Sequence, residues 1–399
     1  EITTRLVGSE MCIRDRVKKA YWIFVNKKSI MLFCQDKEIG VEAMERKRIE
    51  YIDWLRIISA IAVIGIHITM TQPNNYSVQE IGKSNYTILT CVYTLIQWAV
   101  PVFLMISGNL LLHSNKLAFT KVKKMSLRMG AVLLLFGSAF ALLEQVFERK
   151  TLEIGMLPNS VLMTLQQKSW SHLWYLYILI GIYLILIPLK RFIDNSSNRE
   201  ICIFTAILIF GNFVIPTINI AFGTKIENYM LFTQYVTYVL LGYIIGGLHA
   251  EDNGREKKAI DNITNRGGVQ LGLWLFASVI KIIIQYAAVM RCGEGSALIL
   301  GDRIFTMIQA LSVFCLFKKY MDSIHVGRLA KSISRCSFGI YLIHPFFINL
   351  LYKMVDITPT NFPLLGIGFA IPLLWFIVFL LSWGGTFIML KVPGINSLL

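Results

Sequence analysis

Asp53, Arg56 and His67 stand within a single apolar run, YIDWLRIISAIAVIGIHIT. Ionisable side chains are expensive in such a setting, about 2.5–3.5 kcal/mol each for Arg, Lys or Asp on insertion scales, so each needs a reason. At about 100° per residue, the steps from Arg56 to His67 come within about 20° of three whole turns, which places both on one helical stripe. His67 then lies about 16 Å along the helix from Arg56. A neutral imidazole suits proton abstraction, because its unperturbed pKa near 6.5 leaves it mostly unprotonated at neutral pH. A guanidinium at the end of the stripe suits bidentate binding of phosphate. A plainer reading also fits: Asp53 and Arg56 form an i, i+3 ion pair, and His67 hydrogen-bonds a neighbouring helix. Asp53 cannot orient His67 directly, since about 21 Å of helix separates them. Its expected task is to hold Arg56.

Further chemistry-bearing islands follow. AVPVFLMISGNLLL (99–112) contains Pro101 and the pair Ser107–Gly108, which serves either close helix packing or an exposed backbone. Lys121, Lys124 and Arg128 recur every three or four residues and form one basic helical face, either a solvated anchor or a phosphate site. WSHLWYLY sets His172 among Trp170, Trp174, Tyr175 and Tyr177. An interfacial aromatic belt explains the rings, and His172 is positioned to line a mouth there. SRCSFGIYLIHPFF places Tyr341 and His344 one turn apart, where His344 reads as a core histidine or a site residue. Lys281, in VIKIIIQY, requires a partner, a cavity or a snorkelling route.

The elements that carry these residues must be membrane helices. The chain has 399 residues, 55% apolar and only 16% charged, with a mean hydropathy of +0.59. A soluble domain carries about 25% charged residues, so a soluble enzyme, a disordered chain and a small disulfide scaffold are all excluded. The net charge of +15 is interrupted throughout by apolar runs, which marks membrane topology rather than a nucleic-acid face. Seven dispersed cysteines without CxxC spacing offer neither a metal site nor a disulfide framework. Segments of spanning length fall near 52–72, 87–112, 126–147, 172–190, 201–219, 232–248, 268–290, 303–320, 335–355 and 364–390. The expected fold is therefore all-α and polytopic, with about ten transmembrane helices. Basic residues crowd the connectors after even-numbered segments, as at Lys121, Lys257 and Lys318, so positive-inside places both termini in the cytoplasm. Residues 1–45 lack an apolar run long enough to span, and Met44 opens MERKRIEYIDWLR like a natural start. Residues 1–45 are accordingly expected to be an N-terminal extension, with 1–43 upstream of the natural start, and 46–399 the membrane domain.

Taken in order, IDWLR with its Arg and distant His, VPVFLMISGNLL, KVKKMSLR, SHLWYLY and SFGIYLIHPFF resemble the membrane acyltransferase-3 family. Within it they are most similar to the enterobacterial-common-antigen O-acetyltransferase type. The likeness spans roughly residues 46–390. It implies a bacterial cytoplasmic-membrane enzyme with no permanently bound cofactor and no metal. Such an enzyme takes an acyl group, commonly acetyl, from cytoplasmic acyl-CoA and passes it to a hydroxyl of an extracytoplasmic or lipid-linked glycan. Arg56 and His67 match the family's essential pair, and Arg128 matches its basic residue after the second helix. Ser107–Gly108 match its small-residue motif, while His172 and His344 match recurrent positions. Many relatives carry an aromatic residue where this chain has Asn109. The expected catalytic residues are His67 and Arg56, with Arg56, Arg128, Lys121 and Lys124 receiving the CoA phosphates. Ser107, His172, Trp174, Tyr341 and His344 are expected to meet substrate, with Ser107, Tyr341 and the backbone near Gly108 as oxyanion donors. A transporter or flippase is the competing class; no internal repeat relates the first five segments to the last five, which counts against it.

Overall fold

Apolar residues surround the first helix, α1 (Glu50–Asn75), on every side: Leu55, Ala60, Ile64 and Ile68 are all fully buried. A helix of that kind belongs in an interior. In the computed structural model of the chain, which describes residues 49–227, 232–249, 254–292, 304–362 and 366–399, α1 is the hub. The expected extension over residues 1–45 lies outside the described residues.

After α1 come the short α2 (Val78–Ile81), α3 (Lys83–Ile96), α4 (Ala99–Leu112) and α5 (Phe119–Arg149). Next are α6 (Met156–Leu165), a 3-10 turn at Ser171–Leu173, and α7 (Trp174–Asp194). The chain continues through α8 (Asn198–Ile209), α9 (Ile215–Phe222), α10 (Gln234–Gly246) and α11 (Arg255–Thr264). It ends with α12 (Gly267–Cys292), α13 (Ile304–Met321), α14 (Arg328–Asn349), α15 (Ile367–Met389) and α16 (Ile395–Leu398). No strand occurs among the described residues. The fold is all-α and polytopic, as expected.

Helices occupy all ten expected segments, with eight long and apolar enough to cross a membrane. The other two differ for separate reasons. Helix α10 has 13 residues, a rise of about 20 Å against a hydrocarbon core of about 30 Å. Helix α14 is long enough, but Arg328, Lys331 and Arg335 make its first half polar.

Helices α3, α4, α13, α14 and α15 pack around α1. Trp375 of α15 lies against Gly65, where a Cβ would collide with its ring, and donates its indole N–H to the Ile61 carbonyl. Helices α4 and α10 meet backbone to backbone: a Cβ at Gly108 would strike Val239, and one at Gly242 would strike Met105. Gly108 thus serves close packing, in the small-residue manner of membrane helix pairs. The neighbouring Asn109 is buried and donates to the Tyr51 hydroxyl at 2.7 Å, which ties α4 to α1. Burial separates hub from rim. The spanning windows of α1 and of α3–α4 are 61% buried, those of α12 and α15 only 28%. Leu271, Phe276, Ile283, Phe369 and Phe376 face outward, as a lipid-facing surface requires.

Candidate active site

Arg56 is positioned by α1 itself. Asp53, one turn earlier and buried, lies 3.5 Å from the guanidinium and also accepts a hydrogen bond from the Ser334 hydroxyl of α14 at 2.5 Å. The carboxylate is therefore held between two helices and holds Arg56 in turn, as the spacing predicts. Arg56 lines a cavity of about 270 Å³, whose other walls include Ser107, Met125, Ser337 and Tyr341.

Tyr341 and Tyr175 separate this space from a second cavity of about 170 Å³, because both side chains line both. Their rings meet edge-on at 5.5 Å. The second cavity is lined by Val63, Ile66 and His67 of α1, with Gln97, His172 and Trp174 opposite. His67 and His172 also form the floor of a third and larger space, a vestibule of about 860 Å³ at the Asn75 end of α1. Arg56, Val63, His67, Thr71 and Asn74 succeed one another along a single face of α1 and line the three spaces in turn. That is the stripe expected from the eleven-residue step.

Three imidazoles cluster where the second and third spaces meet. Ring centroids are 4.9 Å apart for His67 and His344, 5.8 Å for His172 and His344, and 6.2 Å for His67 and His172. The 3-10 turn presents His172, and α14 presents His344. His172 Nε2 lies 3.1 Å from the Leu342 carbonyl, and His344 Nδ1 lies 3.1 Å from the Ile340 carbonyl. A carbonyl only accepts, so in the neutral rings the hydrogens sit on those two nitrogens. His172 Nδ1 and His344 Nε2 therefore carry the lone pairs. His344 is fully buried, and its Nε2 has no hydrogen-bond partner among the described residues. No set of three or more His, Cys, Asp or Glu side chains is placed to hold a metal ion, again among the described residues.

Two of the expected oxyanion donors have their hydroxyl hydrogens engaged elsewhere. Ser107 donates to the Phe103 carbonyl at 3.0 Å, and Tyr341 donates to the His172 carbonyl at 2.5 Å. Trp174 lines the middle cavity beside Tyr235. Lys121, Lys124 and Arg128 do not line the Arg56 cavity; Met125, on the same helix and within a turn of all three, does. Arg128 instead donates through Nε to the Leu398 carbonyl at 2.9 Å and through Nη2 to Leu399 at 2.6 Å.

Spacing along the chain does not single out Gln97, Glu144, Lys353 or Asp356, although all four line these spaces. Glu144 had the clearest signal, as the carboxylate that ends the charge-free stretch 129–143 of α5. Its partners Trp170 and Lys353 are distant in sequence, so only the folded chain assembles them. Lys281, the unexplained intramembrane cation, is buried and donates to Thr306 at 2.8 Å and Gln309 at 2.9 Å.

Residues 49–390 match the family model Acyl_transf_3, described as an acyltransferase domain. No curated protein and no solved structure matches the chain.

Proposed function

We propose that this chain, a membrane acyltransferase belonging to the acyltransferase-3 family, moves an acetyl group from cytoplasmic acetyl-CoA to a hydroxyl of a cell-envelope or lipid-linked glycan. The enzyme of this reading sits in a bacterial cytoplasmic membrane with both termini inside, and is most similar to the enterobacterial-common-antigen O-acetyltransferase type. The observation that carries it is the single face of α1 lining three successive spaces, with a guanidinium in the first and an imidazole shared by the second and third.

In this reading the Arg56 cavity receives the donor. Arg56, held by Asp53, binds a CoA phosphate, and Lys121, Lys124 and Arg128 of α5, outside the cavity itself, are assigned to the remaining CoA phosphates. The acyl-bearing arm extends along α1 past Tyr175 and Tyr341 towards His67, about 16 Å away. The acceptor enters from the vestibule. His67 faces both spaces and takes the hydroxyl proton as the alkoxide attacks the thioester carbonyl. The carbon–sulfur bond then breaks, and the imidazolium returns the proton to the CoA thiolate. A relay fits the same geometry: the His67 nitrogen displaces CoA thiolate to form an acetyl-imidazole, and the acceptor hydroxyl then displaces the imidazole. His172 and His344, each with its tautomer set by a backbone carbonyl, position the ring. With the Ser107 and Tyr341 hydrogens engaged, the oxyanion falls to an amide, and Gln97 lines the middle cavity while its Oε1 accepts from Thr306 at 3.4 Å.

A carrier would also have connected cavities, but it would move its substrate unchanged. The test is release of labelled acetate from acetyl-CoA by the protein in lipid nanodiscs, with water as a poor acceptor. The wild type is expected to consume acetyl-CoA. His67→Ala should lose about 10²–10⁴ in rate at an unchanged unfolding temperature, the usual contribution of a positioned base. Equal turnover by both would remove His67 from the chemistry; no turnover by either, with or without glycan acceptors, would favour transport.

A further inference from the structure

The vestibule is large and lined by polar and apolar groups together, and one sign of charge prevails among its ionisable residues. Among its described lining residues, Glu80, Glu144 and Asp356 are carboxylates, while Lys353 is the single Lys or Arg. Lys353 is already committed, with its ammonium 2.7 Å from Glu144 Oε1. The other Glu144 oxygen accepts the Trp170 indole N–H at 3.1 Å. Two carboxylates are thus left without a cation from this wall. Glu80 closes a capping box on α2, where the Ser77 backbone N–H and then its hydroxyl hold the Glu80 carboxyl below its usual range.

The remaining wall is built rather than merely polar. Gln72 is 7% exposed and donates its amide hydrogens to Thr358 and Thr360 at 3.2 and 2.6 Å. Its Oε1 has no partner among the described residues, although the side chain lines the vestibule. Asn361 braces the same loop, accepting from the Thr358 N–H and hydroxyl and donating to the Asp356 carbonyl at 2.8 Å. Trp170 stacks on Phe140 at 4.4 Å, which fixes its plane beside His172. Hydroxyls, side-chain amides and fixed aromatic rings are the groups that meet the alternating polar edges and apolar faces of a sugar.

We infer that the vestibule selects acceptor sugars by charge, admitting neutral or amino sugars and excluding uronates and phosphorylated sugars. This deepens the acyltransferase reading and rests on it. A carboxylate or phosphate on the acceptor would meet Glu80 and Asp356 without an offsetting cation, and like charges brought together across an interface are strongly unfavourable. An ammonium would be attracted, while a neutral N-acetyl sugar depends on hydroxyl and amide contacts alone.

The test measures binding, not turnover. Full-length protein in neutral-lipid nanodiscs is titrated with three trimers: glucosamine (cationic), N-acetylglucosamine (neutral) and galacturonate (anionic). The readout is the change in tryptophan fluorescence that Trp170→Phe abolishes. The galacturonate trimer is expected to bind at least about tenfold more weakly than either of the others, a gap that shrinks with salt. The double variant Glu80→Gln/Asp356→Asn should bring the three within about threefold of one another, chiefly by weakening the glucosamine trimer and strengthening the galacturonate. If the double variant fails to fold, Glu80→Gln alone, at an exposed position, should close part of the gap. Tightest binding of galacturonate, a gap unmoved by these substitutions, or no binding of any trimer would overturn the inference. Acetyl-CoA turnover with and without glycan acceptors is followed in the same preparation: its absence in both would count against the acyltransferase reading, whatever the sugars do.

Discussion

Two intramembrane cationic centres divide this molecule. Arg56 on α1 borders a cavity and keeps about a third of its side chain exposed beside Asp53. Lys281 on α12 is 2% exposed and embedded in a hydrogen-bonded cluster. Its ammonium donates to Thr306 and Gln309, and Gln309 donates onward to Ser278 at 2.8 Å and to the Thr94 carbonyl at 3.3 Å. The cluster staples α3, α12 and α13 together. The rule that an intramembrane charge marks function therefore needs a second condition: an open space within its reach. Arg56 meets that condition and Lys281 does not, although Thr306 carries the Lys281 cluster as far as Gln97 on the cavity wall.

The contrast is sharpest in kinetics. Arg56→Ala is expected to raise KM for acetyl-CoA by about 10-fold or more, the loss of a charge-assisted phosphate contact, with partial recovery in Arg56→Lys. An unchanged KM would erase the difference between the two centres. Lys281→Met should invert the pattern. It leaves Thr306 and Gln309 short of a donor, at a cost of about 1–3 kcal/mol, so the unfolding temperature falls while kcat per folded molecule stays within about tenfold. A large loss of turnover without loss of stability would move Lys281 into the chemistry. The smallest effect is expected from Asp53→Asn, which weakens the hold on Arg56 but keeps a hydrogen bond to Ser334. KM should rise by about 2- to 5-fold, and the change should diminish at high salt as the remaining electrostatics are screened.

The histidine cluster and the vestibule differ in a related way. His67, His172 and His344 come from three distant parts of the chain, yet each belongs to a local pattern: a stripe on α1, an aromatic turn, a His-Pro pair in α14. The vestibule residues have no such pattern. Glu144 and Lys353 meet only because α5 and the wide turn Leu350–Met354 lie side by side at one end of the bundle, and Glu80 enters from α2.

Hydropathy alone determined that the chain crosses a membrane many times, because apolar runs of spanning length have no other stable setting. Helical periodicity determined that Arg56 and His67 share a face and that Asp53 reaches Arg56, since both relations lie within one regular helix and need no partner. Ring proximity among His67, His172 and His344, the tautomer of His172, the commitment of the Tyr341 hydroxyl, and the burial of Lys281 in a satisfied cluster were decided only by tertiary structure. Each depends on which helix lies against which, and on where a backbone carbonyl or a neighbouring side chain falls. The period of a single helix carries no record of the neighbour it will meet.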